Sequence, residues 1–80
     1  MSLTPDLLEE LELLNLFNLS TTQAGIKIHD DAEPAKIAAA KRLYDKGMIT
    51  LLDGGYLTAR GLETAEHAQA LVGMLQVEAS

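Results

Sequence analysis

The sequence predicts a mostly helical α+β domain with a short antiparallel β-hairpin, in the order helix, helix, helix, hairpin, helix. Leucine and alanine, which favour helices, together number 26, whereas valine and isoleucine, which favour strands, number 6. Apolar residues recur at three- and four-residue spacing along several stretches, and an Asp-Gly pair separates two short strand-like runs. A chain of 80 residues is expected to form one domain, over residues 1–80.

The first helix is predicted over residues 3–18. Thr4 is a good N-cap, and the proline that follows it suits the first helical position. Leu7, Leu11 and Leu14 form one apolar stripe, and further apolar residues extend beyond that face. Two interpretations stay open: the helix is buried on two sides within the monomer, or it also makes a dimer contact.

A short second helix is predicted over residues 21–28. Ser20 and Gln23 have the S-x-x-Q spacing of a capping box, which precedes many helices, although Gly25 weakens the pattern. Residues 29–33 are polar and mostly acidic, and they are expected to form a turn.

The third helix is predicted over residues 34–46. Proline is tolerated in the first turn of a helix, and Gly47 is suited to end it in the left-handed conformation. The predicted inner face consists of Ile37, Ala40, Leu43 and Tyr44. The predicted outer face consists of Ala38, Ala39, Lys41, Arg42, Asp45 and Lys46.

A β-hairpin is predicted from the two runs around Asp53 and Gly54. A two-residue loop would put Ile49 and Leu57 on opposite faces of the hairpin. A three-residue loop that begins at Leu52, with Gly54 left-handed, would put them on the same face. We favour the second register, because both side chains are apolar and one face must pack on the helices.

The last helix is predicted over residues 59–77, with Thr58 as its cap. One stripe consists of Leu62, Ala65, Val72 and Leu75. From residue 70 onward this helix is apolar nearly all round. We therefore expect a homodimer that forms through the first and last helices.

Two segments carry a family resemblance. Residues 43–49 read LYDKGMI and residues 56–61 read YLTARG. In spacing they resemble the end of the recognition helix and the second wing strand of the winged helix-turn-helix superfamily. The whole chain also looks like a small family of short bacterial proteins, some of them labelled DNA-binding. The resemblance implies a winged-helix fold and a role in transcription regulation.

If the resemblance holds, it implies that the helix over residues 34–46 enters a groove of double-stranded DNA. The basic residues available for nucleic-acid binding are Lys36, Lys41, Arg42, Lys46 and Arg60. Residues 27–60 hold every basic residue, six against five acidic ones, whereas both flanking segments are acidic. The leading hypothesis is a small DNA-binding or transcription-associated protein.

The alternative hypothesis is an acidic winged-helix module that binds protein and not nucleic acid. The net charge is −6, whereas proteins that bind DNA usually carry a basic surface. Asp30, Asp31 and Glu33 precede the third helix, where they would repel phosphates. That helix also offers alanines where polar side chains would read bases, and the hairpin tip has no basic residue.

Other classes of function have little support in the sequence. The chain has no Cys and two His, so the pairings of His29 with Asp30 and of Glu63 with His67 fall short of a metal site. No nucleophile or phosphate-binding motif occurs, and we expect neither an enzyme nor a cofactor. No stretch is long and apolar enough for a membrane span, and the first basic residue is Lys27. We expect a soluble cytoplasmic protein.

Overall fold

The structure is a computed structural model that describes residues 3–20 and 25–76. Within these ranges it has three helices and a three-stranded antiparallel sheet, and it is therefore an α+β fold. The elements are α1 (Pro5–Leu14), β1 (Ile26–Lys27), α2 (Pro34–Asp45), β2 (Ile49–Leu51), β3 (Gly54–Leu57) and α3 (Ala59–Leu75). The strand order is β1-β3-β2. In these ranges no helix is long and apolar enough to cross a membrane.

Helix α1 begins as predicted and ends earlier. The backbone N–H of Leu7 donates to Thr4 Oγ1 at 3.2 Å, which confirms the N-cap. The helix ends at Leu14, and the next turn carries Phe17 into the core. The amide of Gln69, on α3, donates to the carbonyl oxygens of Leu14 (3.2 Å) and Phe17 (2.7 Å). A side chain distant in sequence thus satisfies carbonyls that a longer helix would have used internally.

The predicted second helix is wrong where the structure describes it. Residues 21–24, with most of the capping box, lie outside the described residues. Ile26 and Lys27 form strand β1, which pairs antiparallel with Gly55 and Gly54 of β3. Ile26 and the buried Ile28 alternate with an exposed lysine, and this two-residue period is typical of a strand. Pairing with the edge of β3 therefore outweighs the local helical pattern of this segment and makes it a strand.

Helix α2 has the predicted start and end. Met48 N–H donates to the carbonyl of Leu43 (2.9 Å), and Gly47 N–H donates to that of Tyr44 (3.0 Å), the pattern of a Schellman cap. Gly47 has φ +76°, as this cap requires.

The inner face of α2 differs from the prediction. Leu43 and Ala40 are buried as expected, but Ile37 is 39% exposed and Tyr44 is 42% exposed. Ala39, predicted to face outward, is 0% exposed. Small alanine side chains let another element pack close to the helix axis, so α2 turns its alanines inward and its larger side chains outward.

The hairpin brings Ile49 and Leu57 opposite each other, so they share a face as predicted. The predicted three-residue loop is wrong, because Leu51 pairs with Gly54 and only two residues lie between them. A one-residue register shift in β3 restores the common face. The left-handed conformation that was predicted for Gly54 is found at Gly55, whose φ is +75°. Gly54 has a φ of +124°.

Helix α3 starts at a close junction with the end of α2. Thr58 Oγ1 accepts from the N–H of Gly61 (3.0 Å) and donates to the carbonyl of Gly47 (2.5 Å), which confirms the predicted cap. A Cβ at Gly61 would overlap the carbonyl of Met48. The helix ends at Leu75, whereas the predicted end was residue 77. Residue 77 itself lies outside the described residues.

The core lies between the three helices and the sheet. Its buried apolar residues are Leu13, Leu14, Phe17, Ile28, Ala39, Ala40, Leu43, Ile49, Ala65 and Ala68. The predicted stripe of the last helix is buried or half-buried through Val72, whereas Leu75 is 76% exposed. The C-terminal end of α3 thus extends past the part of the chain that buries it.

Replacing Gly61 by alanine is expected to destabilise the protein, because the new methyl group meets a backbone carbonyl that cannot move freely. The free energy of unfolding should fall by about 1–3 kcal/mol, the range for overpacking. Gly73 lies on the same helix with open space around its Cα, so Gly73→Ala should raise that free energy by up to about 1 kcal/mol. Urea unfolding of both variants measures the two changes, and equal effects would contradict the packing at Gly61.

Candidate functional site

Glu10 is a buried carboxylate at the contact between α1 and α2. It is 5% exposed and lies on the same side of α1 as the core residues Leu13 and Leu14. Arg42 Nε donates to Glu10 Oε2 at 2.9 Å, and Lys46 Nζ donates to Glu10 Oε1. Each oxygen of the buried carboxylate therefore has a charged donor, as a buried charge requires.

Arg42 also contacts Asp6, which is a second acidic residue of α1. One of its terminal nitrogens donates to the backbone carbonyl of Asp6 at 3.2 Å and lies 3.8 Å from Asp6 Oδ1. Asp6, Glu10, Arg42 and Lys46 are called the ion cluster below. The cluster links the first half of α1 to the second half of α2.

The two cations change the acidity of Glu10. Burial raises the pKa of the Glu10 carboxyl, but the hydrogen bonds and positive charges of Lys46 and Arg42 lower it by more. The resulting pKa lies below its ordinary value. Glu10 is therefore ionised at neutral pH, and its negative charge compensates basic residues of α2.

The structure places the five residues predicted to contact DNA in three different settings. Arg42 and Lys46 face α1 in the ion cluster. Lys36 and Lys41 border two neighbouring shallow pockets beside the loop that follows β1. Arg60 is exposed in the first turn of α3.

The charge around α2 is therefore less positive than the sequence suggests. Residues 25–60, all described, contain four basic residues outside the ion cluster and five acidic ones. Duplex DNA is bound largely through its phosphates, and that needs an excess of cations on one face. The ion cluster removes two cations from such a face, Arg42 of α2 and Lys46 directly after it.

An apolar groove lies between α1 and the C-terminal end of α3. It has a volume of about 330 Å³, and its apolar lining consists of Leu3, Leu8, Leu11, Leu71, Val72 and Leu75. We call it the α1–α3 groove. Leu75 and the adjoining Met74 are 76% and 72% exposed, the highest values among the large apolar residues of the described ranges. A cluster of this kind is typical of an interaction surface.

The groove lies between the first and last helices, which the sequence predicts to form a dimer contact because both are apolar beyond one face. The sequence does not predict the ion cluster. Glu10 could have been noticed, since it precedes Leu13, Leu14 and Phe17 at helical spacing and so falls within a buried stripe. Over residues 3–20 and 25–76, no three acidic or histidine side chains lie close enough together to hold a metal ion.

Replacing Glu10 by glutamine is expected to lower the free energy of unfolding by about 1–3 kcal/mol at neutral pH, because Arg42 and Lys46 lose their common anion. This is less than the loss for a fully buried ion pair, since both cations are partly exposed. Glu12→Gln makes the same chemical change at an exposed position of α1 and should have little effect.

The effect of Glu10→Gln should depend on pH. A lowered pKa in the folded state means that the carboxylate stabilises the fold above the unfolded pKa of Glu, about 4.3, and that this contribution is lost as the pH falls through the folded value. Urea unfolding at a series of pH values should show the variant and the wild type converging in acid. A difference independent of pH would contradict the assignment.

The comparisons with known proteins identify a family and no activity. No curated protein and no solved structure matches the chain. A model of a family of unknown function, DUF5669, matches residues 1–76, which is nearly the whole sequence. The chain therefore belongs to the DUF5669 family of unknown function.

Proposed function

We propose that the domain is a winged-helix variant that acts as a protein-interaction module, with the α1–α3 groove as its binding site. The observation that carries this proposal is the groove itself, in which five apolar side chains from two helices and Leu3 before α1 surround one concave surface. Isolated apolar residues are common on protein surfaces, whereas a cluster this size usually has an occupant.

The winged-helix assignment is supported by what the two matching segments do. Leu43 and Ile49 are buried on either side of the Gly47 turn, and Leu57 pairs with Ile49. Thr58 then starts the last helix. The resemblance implies the same structural roles for the end of the recognition helix, for the wing and for the helix that follows it.

The shape of the groove suits a helix as its occupant. It is formed by α1 and α3, and an apolar face of a third helix can pack between two others. An amphipathic helix that places its apolar face in such a groove is a recurring mode of recognition. The occupant would contact Leu8 on one side and Leu71 and Leu75 on the other.

The charge beside the groove favours a basic occupant. Glu12 lines the groove and no lysine, arginine or histidine does, whereas Asp6 and Glu10 of α1 are paired with cations in the ion cluster. In α3 the only basic residue is Arg60, at the end of the helix remote from the groove. A second copy would place two acidic helices side by side, which electrostatic complementarity disfavours. The partner is therefore a helix with an apolar stripe flanked by lysine or arginine.

Binding to double-stranded DNA is the second candidate function. It is favoured by Lys36 and Lys41, which lie on α2 and take part in no ion pair with any residue in the described ranges. The mechanism would be insertion of α2 into a groove, with these lysines near phosphates. The acidic loop before α2 opposes it.

The groove is tested with a synthetic 18-residue helical peptide that carries leucines at positions i, i+3, i+4 and i+7 and lysines elsewhere. We expect saturable binding by fluorescence anisotropy. The double variant Leu71→Gln, Leu75→Gln should bind at least about tenfold more weakly, because two apolar contacts are lost. Both side chains are more than half exposed, so the fold should survive.

The matched control is Leu51→Gln, Leu52→Gln, which replaces two leucines at the hairpin that are also more than half exposed. It should bind the peptide as the wild type does, and a peptide with glutamates in place of the lysines should bind weakly. Equal binding by the groove variant would contradict the proposal. Sedimentation of the wild type and of both variants tests the predicted homodimer. If the groove substitutions alone dissociate a dimer, the occupant of the groove is a second copy of the chain.

Binding to a mixed-sequence DNA duplex should be absent at low salt, where electrostatic attraction is strongest. The reason is that Arg42 and Lys46 are held by Glu10. Gel-shift or anisotropy titrations at low and moderate salt make the measurement. Salt-sensitive binding that disappears in Lys36→Ala, Lys41→Ala would favour the DNA hypothesis instead.

A further inference from the structure

A second concave surface lies on the other side of α2, away from the ion cluster. It has a volume of about 290 Å³ and is formed by the loop after β1, by α2 and by the turn between β2 and β3. Its apolar lining comes from Ile28, Ile37 and Leu52, and its polar rim consists of His29, Asp30, Lys41 and Asp53. We call this surface the loop pocket.

Backbone contacts fix the loop pocket in place. The N–H of Ile28 donates to the carbonyl of Asp53 at 2.6 Å, so the loop after β1 is held against the hairpin turn. Ile28 is itself buried in the core. Ile37 and Lys41 are four residues apart on α2 and therefore lie on one face of that helix. Three elements with separate anchors thus surround the pocket.

The charges at the rim are opposite and are not paired with one another. Neither Asp30 nor Asp53 forms an ion pair with Lys41, although all three line the same pocket and all are described. The ammonium group of Lys41 and the two carboxylates are therefore not neutralised by one another. A molecule that carries both charges could contact both sides at once.

The size and the charges limit the class of ligand. A volume of about 290 Å³ is at the lower end for small-molecule sites, which favours a small ligand. Two carboxylates beside one lysine disfavour phosphates, and the lysine disfavours a cation alone. The apolar lining requires a hydrocarbon group.

We propose that the loop pocket binds a free α-amino acid with an aliphatic side chain. Lys41 binds its carboxylate, Asp30 and Asp53 bind its ammonium group, and Ile28, Ile37 and Leu52 contact its side chain. The site is separate from the α1–α3 groove, and it stands or falls independently of the proposed protein-interaction function.

The test is a titration of the full chain with L-leucine, followed by the backbone amide signals in two-dimensional NMR. Saturable shifts are expected at residues 28, 37, 41 and 52–53. Leucinol lacks the carboxylate and 4-methylpentanoate lacks the ammonium group, so each should bind at least about tenfold more weakly than leucine. Absence of saturable shifts, or equal response to all three compounds, would overturn the proposal.

Variants test whether leucine binds in the loop pocket or elsewhere on the surface. Lys41→Gln and Asp53→Asn should each weaken leucine binding about tenfold or more, because each removes one charged partner. Lys36→Gln removes a lysine from the same helix outside the pocket and should leave the affinity unchanged. Wild-type affinity in Lys41→Gln would contradict the assigned role of Lys41, and the amide spectra of all variants report directly on folding.

Discussion

The ion pair between Glu10 and the cations of α2 is the constraint on which the arrangement of the helices depends. A carboxylate that is almost fully buried must have its donors, so α2 has to present Arg42 and Lys46 towards α1. This orientation turns Ala39 inward and leaves Tyr44 half exposed. The ion pair and the close packing of the alanines thus favour the same rotation of α2.

The same contact determines which surfaces are available for binding. With two cations of α2 directed at α1, the surface around α2 carries a mixture of charges and no basic face. Four of the eleven exposed large apolar residues in the described ranges line the groove between α1 and the end of α3: Leu3, Leu8, Leu71 and Leu75. Recognition of an apolar helix therefore follows more directly from this architecture than recognition of a phosphate backbone.

Local patterns were sufficient for the starts of the three observed helices and for the presence of the hairpin, but not for the length of its loop. Thr4, Thr58 and Gly47 act within a few residues of their own positions, so spacing alone predicts their roles. The early end of α1 was not predictable in this way, because Gln69 lies more than fifty residues away in the sequence. Strand β1 likewise depends on pairing with β3, which outweighs its local helical signal.

The sequence by itself determined the α+β class, the caps, and the first and last helices as the most apolar surfaces. Only the tertiary structure decided how the charges are used. Lys36, Lys41, Arg42 and Lys46 look equivalent on a helix considered alone, and the packing of α1 divides them into two held by Glu10 and two that are not. The physical reason is that the environment of a side chain depends on neighbours remote in sequence, whereas its conformational preference is local.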